Sequence, residues 1–237
     1  MIIPVLYEQA ALPKLLAHLH GVCAQLHQVI IVDGDPQGST LAAVSPLPTG
    51  VMGITASAGR GSQLNAGAAL ATGEVLLFLH VDNRLPPQAI PAIQGLLEDP
   101  KLSGGAFDLR IDATDWRLRI IGRISSWRSR LTRIPYGDQG IFVRRAVFES
   151  IGGYPDFPIM EDVALMQRMK QQGYRIQFLA TPIQVSARRW QKEGLLYTTL
   201  RNWLLMFLYH WGVSPHRLAR WYRPHHASRA SSPSLET

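Results

Sequence analysis

Three short all-apolar runs constrain this chain most: Ile2-Ile3-Pro4-Val5-Leu6, Val29-Ile30-Ile31-Val32 and Val75-Leu76-Leu77-Phe78-Leu79. Each is too short for a buried helix and none alternates apolar with polar, so each reads as a strand covered on both faces. The intervening segments are helical. Leu12, Leu15, Leu16 and Leu19 recur at helical spacing, residues 62–71 are small and helix-compatible, and Pro86-Pro87 opens a helix through Leu97. Strands alternating with helices predict an α/β fold with a mostly parallel central sheet and helices on both faces. The 237 residues, 46% of them hydrophobic, suffice for one such domain. Ligands of these sheets gather at the carboxyl ends of strands, and Asp33 and Asp82 fall at two such ends.

The second half is less regular. Residues 107–111 alternate like a strand, 137–143 read as a tight loop feeding a strand, and 146–151 as a short helix. Residues 163–172 are helical and stop at Gly173, and 175–179 and 183–186 are strand-like. Over 116–131, Ile120, Ile121, Ile124, Trp127 and Leu131 share one helical face, and Arg119, Arg123, Arg130 and Arg133 another. That arginine face is either solvated or turned to an anionic acceptor or a membrane. A strongly apolar helix over 194–211 ends at Gly212, and Ser214-Pro215 reads as the N-cap and first residue of a last helix. The Ser-, Ala- and Pro-rich tail 225–237 is expected to be disordered. The organisation expected is a catalytic domain over 1–190, then helices over 191–224 that pack on the domain, a second subunit or a membrane surface.

Composition narrows the partners. A net charge of +7 with only 17% charged residues suits phosphorylated or lipidic ligands, and nothing beyond that charge points to nucleic acid. One cysteine, Cys23, excludes an internal disulfide and any cysteine metal cluster. The apolar start has no basic lead and is interrupted by Pro4, so it does not read as an export signal. The run 203–213 is shorter than the roughly 20 residues a membrane span needs. The location expected is the cytoplasm, with the inner membrane face as a peripheral site.

Several residues carry chemistry, each beside a plainer reading. Asp82, in His80-Val81-Asp82, can hold Mg²⁺ or Mn²⁺ at a diphosphate, or cap the helix after Pro86-Pro87. Asp33, followed by Gly34, can accept from a nucleoside or close an Asx-turn. Arg60, between two glycines and before a helix with Asn65, can pair with phosphate, although such turns are common. Glu161-Asp162 starts a helix, where an acid can act as general base or merely favour the helix dipole. Tyr136-Gly137-Asp138-Gln139-Gly140 can line an acceptor pocket or connect a hairpin. Arg188-Arg189-Trp190, read as the end of a strand, suits a diphosphate and a stacked sugar, or plain surface charge.

Taken in order, these segments resemble the family-2 glycosyltransferases, which have the GT-A fold, over roughly residues 1–190. The resemblance runs through Ile2–Val5 with Glu8, Ile30-Ile31-Val32-Asp33-Gly34, Asn65-Ala66-Gly67, Phe78-Leu79-His80-Val81-Asp82 and Met160-Glu161-Asp162-Val163-Ala164-Leu165. More narrowly, His80–Asp82, Tyr136–Gly140, 186–190 and 199–205 look like a bacterial subgroup named as radical-SAM/selenodomain-associated transferases. The resemblance implies transfer of a sugar, with inversion, from a nucleoside-diphosphate donor (a UDP-sugar by family habit) to an acceptor hydroxyl, which could be anionic or lipid-linked. It places Pro4, Glu8, Asp33, Gly34, Arg60, Asn65 and His80 around the nucleotide sugar and Asp82 on the metal. It makes Asp162 the base with Glu161 in support, and sets Asp138, Gln139, Arg188, Arg189 and Trp190 at the diphosphate and acceptor. Besides Tyr7 in place of the usual Asn, two departures stand out: His80 replaces the first of two metal-motif aspartates, and Gly34-Asp35-Pro36-Gln37-Gly38-Ser39-Thr40 stands where the family continues with a further Asp and a Ser-Thr-Asp turn. The rivals are a nucleotidyltransferase, which would want a basic glycine-rich loop where Tyr7-Glu8-Gln9-Ala10 stands, and a non-catalytic nucleotide-sugar-binding protein. A homodimer is a further expectation.

Overall fold

A computed structural model describes residues 1–23 and 25–222; the tail 225–237, expected to be disordered, lies outside the described residues. The three apolar runs are strands. β1 (Ile2–Val5), β2 (Val29–Asp33) and β3 (Val51–Thr55) pair in parallel in that order. β4 (Val75–Leu77) follows β1 on its other side through the parallel bridge Ile2–Phe78 and the Leu79 N–H donating to Ile2 at 3.0 Å. Beyond β4 lie β7 (Phe142–Arg144), β6 (Leu102–Asp112), β8 (Arg175–Ser186) and the short β5 (Asn83–Arg84). The parallel half thus passes into a mixed half, in which β6 and β8 are parallel and β7 and β5 antiparallel to their neighbours.

The apolar runs are continuous because the sheet is buried on both sides. Ile3, Val5, Ile31, Leu77 and Leu79 face one core with α1 (Leu12–Cys23) and α4 (Ala89–Leu97). Ile2, Ile30, Val32, Leu76 and Phe78 face the other with α3 (Arg60–Leu70), α6 (Arg145–Ser150) and α7 (Glu161–Gln171). Gly67 lets α3 lie close on the sheet: a Cβ there would stand 2.5 Å from Ile2 Cγ2 and 3.0 Å from Val32 Cγ2.

Four sequence expectations change. β3 was not foreseen, because it is half-exposed and broken by Gly53. The one-turn α2 (Ser39–Ala42) was likewise missed. The two strands expected over 175–179 and 183–186 are one strand, β8, whose register against β6 slips between Leu179 and Pro182. Residues 188–190 do not end a strand; β8 stops at Ser186, and Arg188 begins α8 (Arg188–Glu193).

The helix α5 (Trp116–Thr132) is inside out. Its buried residues are Leu118, Gly122, Ser126 and Ser129, while Ile120, Ile124, Trp127 and Leu131 are exposed. The inner face is small and polar because α5 rests on the backbone of β6, where the Ser126 hydroxyl accepts from Leu109 N–H at 2.8 Å. Finally α9 (Leu195–His210) and α10 (Pro215–Ala219) fold back, with Met206 and Tyr209 packed on the second core and Tyr209 Oη donating to Gln167 at 3.2 Å.

Candidate active site

The carboxyl ends of β1, β2 and β4 open on one edge of the sheet. At the β2 end the polar groups are engaged with each other. Asp33 is fully buried; its carboxylate accepts the amides of Asp35 (3.0 Å), Thr40 (2.9 Å) and Leu41 (3.2 Å). It therefore shapes the turn, as an Asx-turn residue does, and presents no bare oxygen. Asp35 in turn accepts the amides of Gln37 at 3.1 Å and Ser39 at 3.3 Å, and the Ser39 hydroxyl first, then these amides, hold its carboxyl below the usual range. Gln63 joins the strands, its amide nitrogen donating to Val5 at 2.7 Å and Val32 at 2.8 Å, against Gly34. Asn65 is likewise spent, donating to and accepting from the Tyr154 backbone at 2.8 and 2.9 Å. Pro4 lies in β1 opposite Val32. Glu8, just beyond, has its carboxyl raised by burial and by the Asp82 charge, against the pull of Arg188.

The β4 end differs. Asp82 is exposed in an open cleft of about 220 Å³ shared with Lys14, Asp112, Ser186 and Arg188. Asn83, 1% exposed, donates to the Asp138 carbonyl at 2.8 Å, yet its own Oδ1 has no hydrogen-bond partner. Asp138 Oδ1 is likewise buried and unpartnered. Burial, then the charges of Asp162 and Asp82, push the Asp138 carboxyl up to about 6. The His80 ring is held well below its usual range by burial and by Arg60 and Arg189, so it is a neutral imidazole.

The acceptor-side loop closes on this cluster. Gly137 N–H donates to Asp162 Oδ2 at 2.5 Å, and the other Asp162 oxygen accepts from Val163 N–H at 2.7 Å. A Cβ on Gly137 would lie 2.9 Å from His80 Nε2 and 3.2 Å from Asp162 Oδ2, so the missing side chain is what lets imidazole and carboxylate approach. Glu161, 2% exposed, pairs with Arg60 at 3.3 Å across α3 and α7. Burial and Asp162 raise its carboxyl while Arg60 opposes them. Gln139 is fully buried rather than lining a pocket: it accepts from Ser129 (2.6 Å) and Tyr136 (3.1 Å) and donates to Phe107 (3.0 Å). Every hydrogen-bonding end of that amide is used to hold the single 3-10 turn Gly137–Gln139.

Of the Arg-Arg-Trp element, Arg188 faces the cleft. Arg189 donates to the Tyr222 hydroxyl and stacks on its ring. Trp190 packs against the first core with its indole N–H unpartnered. Sequence reasoning missed Gln63, Asn83, Arg128 (3.6 Å over the Tyr136 ring) and Tyr222. Only the Asn beside the metal motif could have been read as a signal.

Among the described residues no three His, Cys, Asp or Glu side chains stand together as a metal-holding group. The donor set still fits a small hard cation. The Asp82 carboxylate and the two unpartnered oxygens of Asn83 and Asp138 are oxygen ligands, and Mg²⁺ or Mn²⁺ completes its shell with water and substrate phosphate.

Comparison with known proteins bears on the family and the fold. Residues 1–152 match the model of glycosyl transferase family 2. A curated relative, an undecaprenyl-phosphate 4-deoxy-4-formamido-L-arabinose transferase of Sodalis glossinidius, is 27% identical over 154 residues, 61% of this chain and 47% of its own. The protein of the same name from Aeromonas hydrophila is 32% identical over 102 residues, 39% of this chain and 31% of its own. The chain thus spans less than half the length of these relatives. Among solved structures, the mannosyltransferase PcManGT of Pyrobaculum calidifontis, in complex with GDP-Man and Mn²⁺, superposes with TM-score 0.56 at 18% identity over 78% of this chain and 55% of its own. S. aureus TarS 1-349 in complex with UDP-GlcNAc gives 0.58 at 14% identity, over 78% and 57%. These likenesses fix a GT-A fold.

Proposed function

The chain belongs to glycosyl transferase family 2, and from that premise we propose that it moves a sugar, with inversion, from a nucleoside-diphosphate donor to a hydroxyl of a lipid-linked or otherwise anionic acceptor at a membrane surface. The observation that carries this reading is the cluster around Gly137, whose backbone amide fixes the Asp162 carboxylate and whose missing side chain leaves room for the His80 ring. Structures of nucleotide-sugar complexes with this fold, and relatives named for transfer to undecaprenyl phosphate, support the donor and acceptor classes.

The nucleoside would lie over the β1 and β2 ends, between Pro4, Glu8 and the turn that Asp33 and Gly34 shape, with Asn65 and Gln63 keeping that edge rigid. Asp82, with Asn83 and Asp138, would hold Mg²⁺ or Mn²⁺, which supplies positive charge to the diphosphate leaving group. Arg188 and Arg189 add guanidinium donors to the same oxygens, and Arg60 borders them from α3. For Arg189 this means exchanging the Tyr222 hydroxyl for phosphate. Asp162 takes the acceptor proton as the hydroxyl attacks the anomeric carbon from the face opposite the diphosphate. One base is enough, because no sugar–enzyme bond forms. Glu161 supports this by tying the start of α7 to Arg60.

The test is ligand protection of the full chain. A ligand bound only to the folded state raises its melting temperature. Nucleoside diphosphates and their sugars, screened with and without Mn²⁺, should give a metal-dependent shift with one base, and Asp82→Ala should abolish it. No shift with any nucleotide at millimolar concentration would leave a protein that keeps the fold without the donor site.

A further inference from the structure

The outward face of α5 is a feature this function does not use. Trp116, Ile120, Ile124, Trp127 and Leu131 are 61, 41, 44, 67 and 69% exposed. At about 100° per residue these five fall within an arc of about 80°, on the side of the helix away from the buried Gly122, Ser126 and Ser129. Single exposed apolar residues are ordinary, but a continuous stripe along a whole helix marks a surface that something covers.

The charges beside the stripe say what covers it. From Trp116 to Thr132 the helix holds five arginines and no acid. Arg119, Arg123 and Arg130 flank one edge of the stripe, and Arg117 and Arg128 the other, by the same helical geometry; Arg130 is held by Asp108 at 2.9 Å, Arg117 lies 3.8 Å from Asp115 and Arg128 covers Tyr136, so Arg119 and Arg123 are the cations left to meet a headgroup layer. A tryptophan-containing apolar strip beside a cationic edge suits a helix lying in the headgroup layer of an anionic bilayer. A two-fold contact with a second copy would instead lay these arginine edges against their own kind. No helix among the described residues is long and apolar enough to cross a membrane. The helix α9 also shows apolar residues outward, among them Trp203 and Trp211, but its Arg201 is turned to Glu193 at 2.7 Å, so it lacks the cationic edge.

We propose that the outward face of α5 is a docking surface for anionic phospholipid. It deepens the lipid-linked acceptor reading and rests on it for its purpose. The end of α5 runs straight into the acceptor-side loop, where Arg128 covers Tyr136 and Ser129 bonds Gln139. A docked α5 thus holds the Tyr136–Gln139 loop and Asp162 next to the headgroups, where a lipid-borne acceptor arrives.

The experiment is vesicle flotation of the full chain with phosphatidylcholine alone and with added phosphatidylglycerol. Binding is expected only with the anionic vesicles, weakening as salt rises. Trp127→Gln with Leu131→Gln should weaken partitioning roughly tenfold or more, and Arg123→Glu should weaken it too. Both changes are on exposed positions, so melting temperature and nucleotide protection should match wild type, which separates lost docking from a damaged fold. Three results would overturn the proposal: no binding to anionic vesicles, binding unchanged in both variants, or a dimer that Trp127→Gln dissolves without any vesicle binding. If the vesicles bind while no nucleotide protects, the docking surface stands and the donor reading fails.

Discussion

The two ends of the site are built on opposite principles. At the β2 end the polar groups are satisfied inside the protein: Asp33 by three amides, Asn65 by the Tyr154 backbone, Gln63 by two carbonyls. At the β4 end the acids crowd, and Asn83 and Asp138 keep buried oxygens with no partner. Native proteins leave few buried polar atoms unpaired. Those that persist beside exposed Asp82 are where a ligand completes the structure, while the satisfied end is the frame that keeps its shape with or without one. The shifted titratable groups differ in cause: His80, Asp138 and Glu161 on the ligand side are shifted chiefly by burial, whereas Asp35 at the β2 end is lowered by its own hydrogen bonds.

The comparison breaks most visibly at Asp162. If the β4 end does the chemistry, Asp162→Asn can keep the bond to Gly137 N–H through its one amide oxygen, giving up the bond from Val163 N–H, but cannot take a proton. Turnover should fall by about 10²–10⁴-fold with donor protection intact. A variant that turns over normally would mean the acceptor oxygen arrives already ionised, as a phosphate does, and Asp162 would then be a positioning residue. At the β2 end the corresponding change, Gln63→Leu, should act on stability instead. It leaves the Val5 and Val32 carbonyls without their buried donor, at a cost of about 2–3 kcal/mol, read by denaturant titration. An unchanged midpoint would show that the frame does not depend on this bridge.

The same division explains what the sequence disclosed. β1, β2 and β4 are legible because burial on both faces leaves only apolar residues, and their ends point to Asp33 and Asp82. β3 is hidden because an edge strand need not be apolar, and Met52 is exposed. In α5 the periodicity reveals a stripe but not its direction, since an inner face made of Gly122, Ser126 and Ser129 carries no hydrophobic signal. The arginine face reads as solvated or as turned to an anionic acceptor or a membrane; in the fold its Arg130 is committed to Asp108 at 2.9 and 3.0 Å, and the apolar stripe beside it faces out. Asp33 and Gln139 were legible as polar residues at the right place. Asp33's partners lie within eight residues, as its Asx-turn reading has it, whereas Gln139 reaches Phe107, 32 residues away, which no local pattern connects. Arg60 reaching Glu161 is the extreme case, 101 residues apart.

The smallest effect is also the most direct reading of crowding at the β4 end. The Asp138 carboxyl stands at about 6, against an ordinary value of 3.8. Between these values the folded protein keeps a proton that the unfolded chain has released. Stability from this group is therefore full below about pH 4 and is lost as pH rises towards 6. Asp138→Asn removes the dependence, so the variant should match wild type near pH 4 and exceed it by about 1–2 kcal/mol above pH 6, after allowance for solvent screening. His80 acts in the opposite sense, because a neutral buried ring loses stability as pH falls through its ordinary range. The difference between the two proteins cancels that contribution and isolates Asp138. A flat difference profile in urea titrations from pH 4 to 7 would mean that the acid cluster is already relaxed, and the contrast between the two ends of the site would rest on the unpartnered oxygens alone.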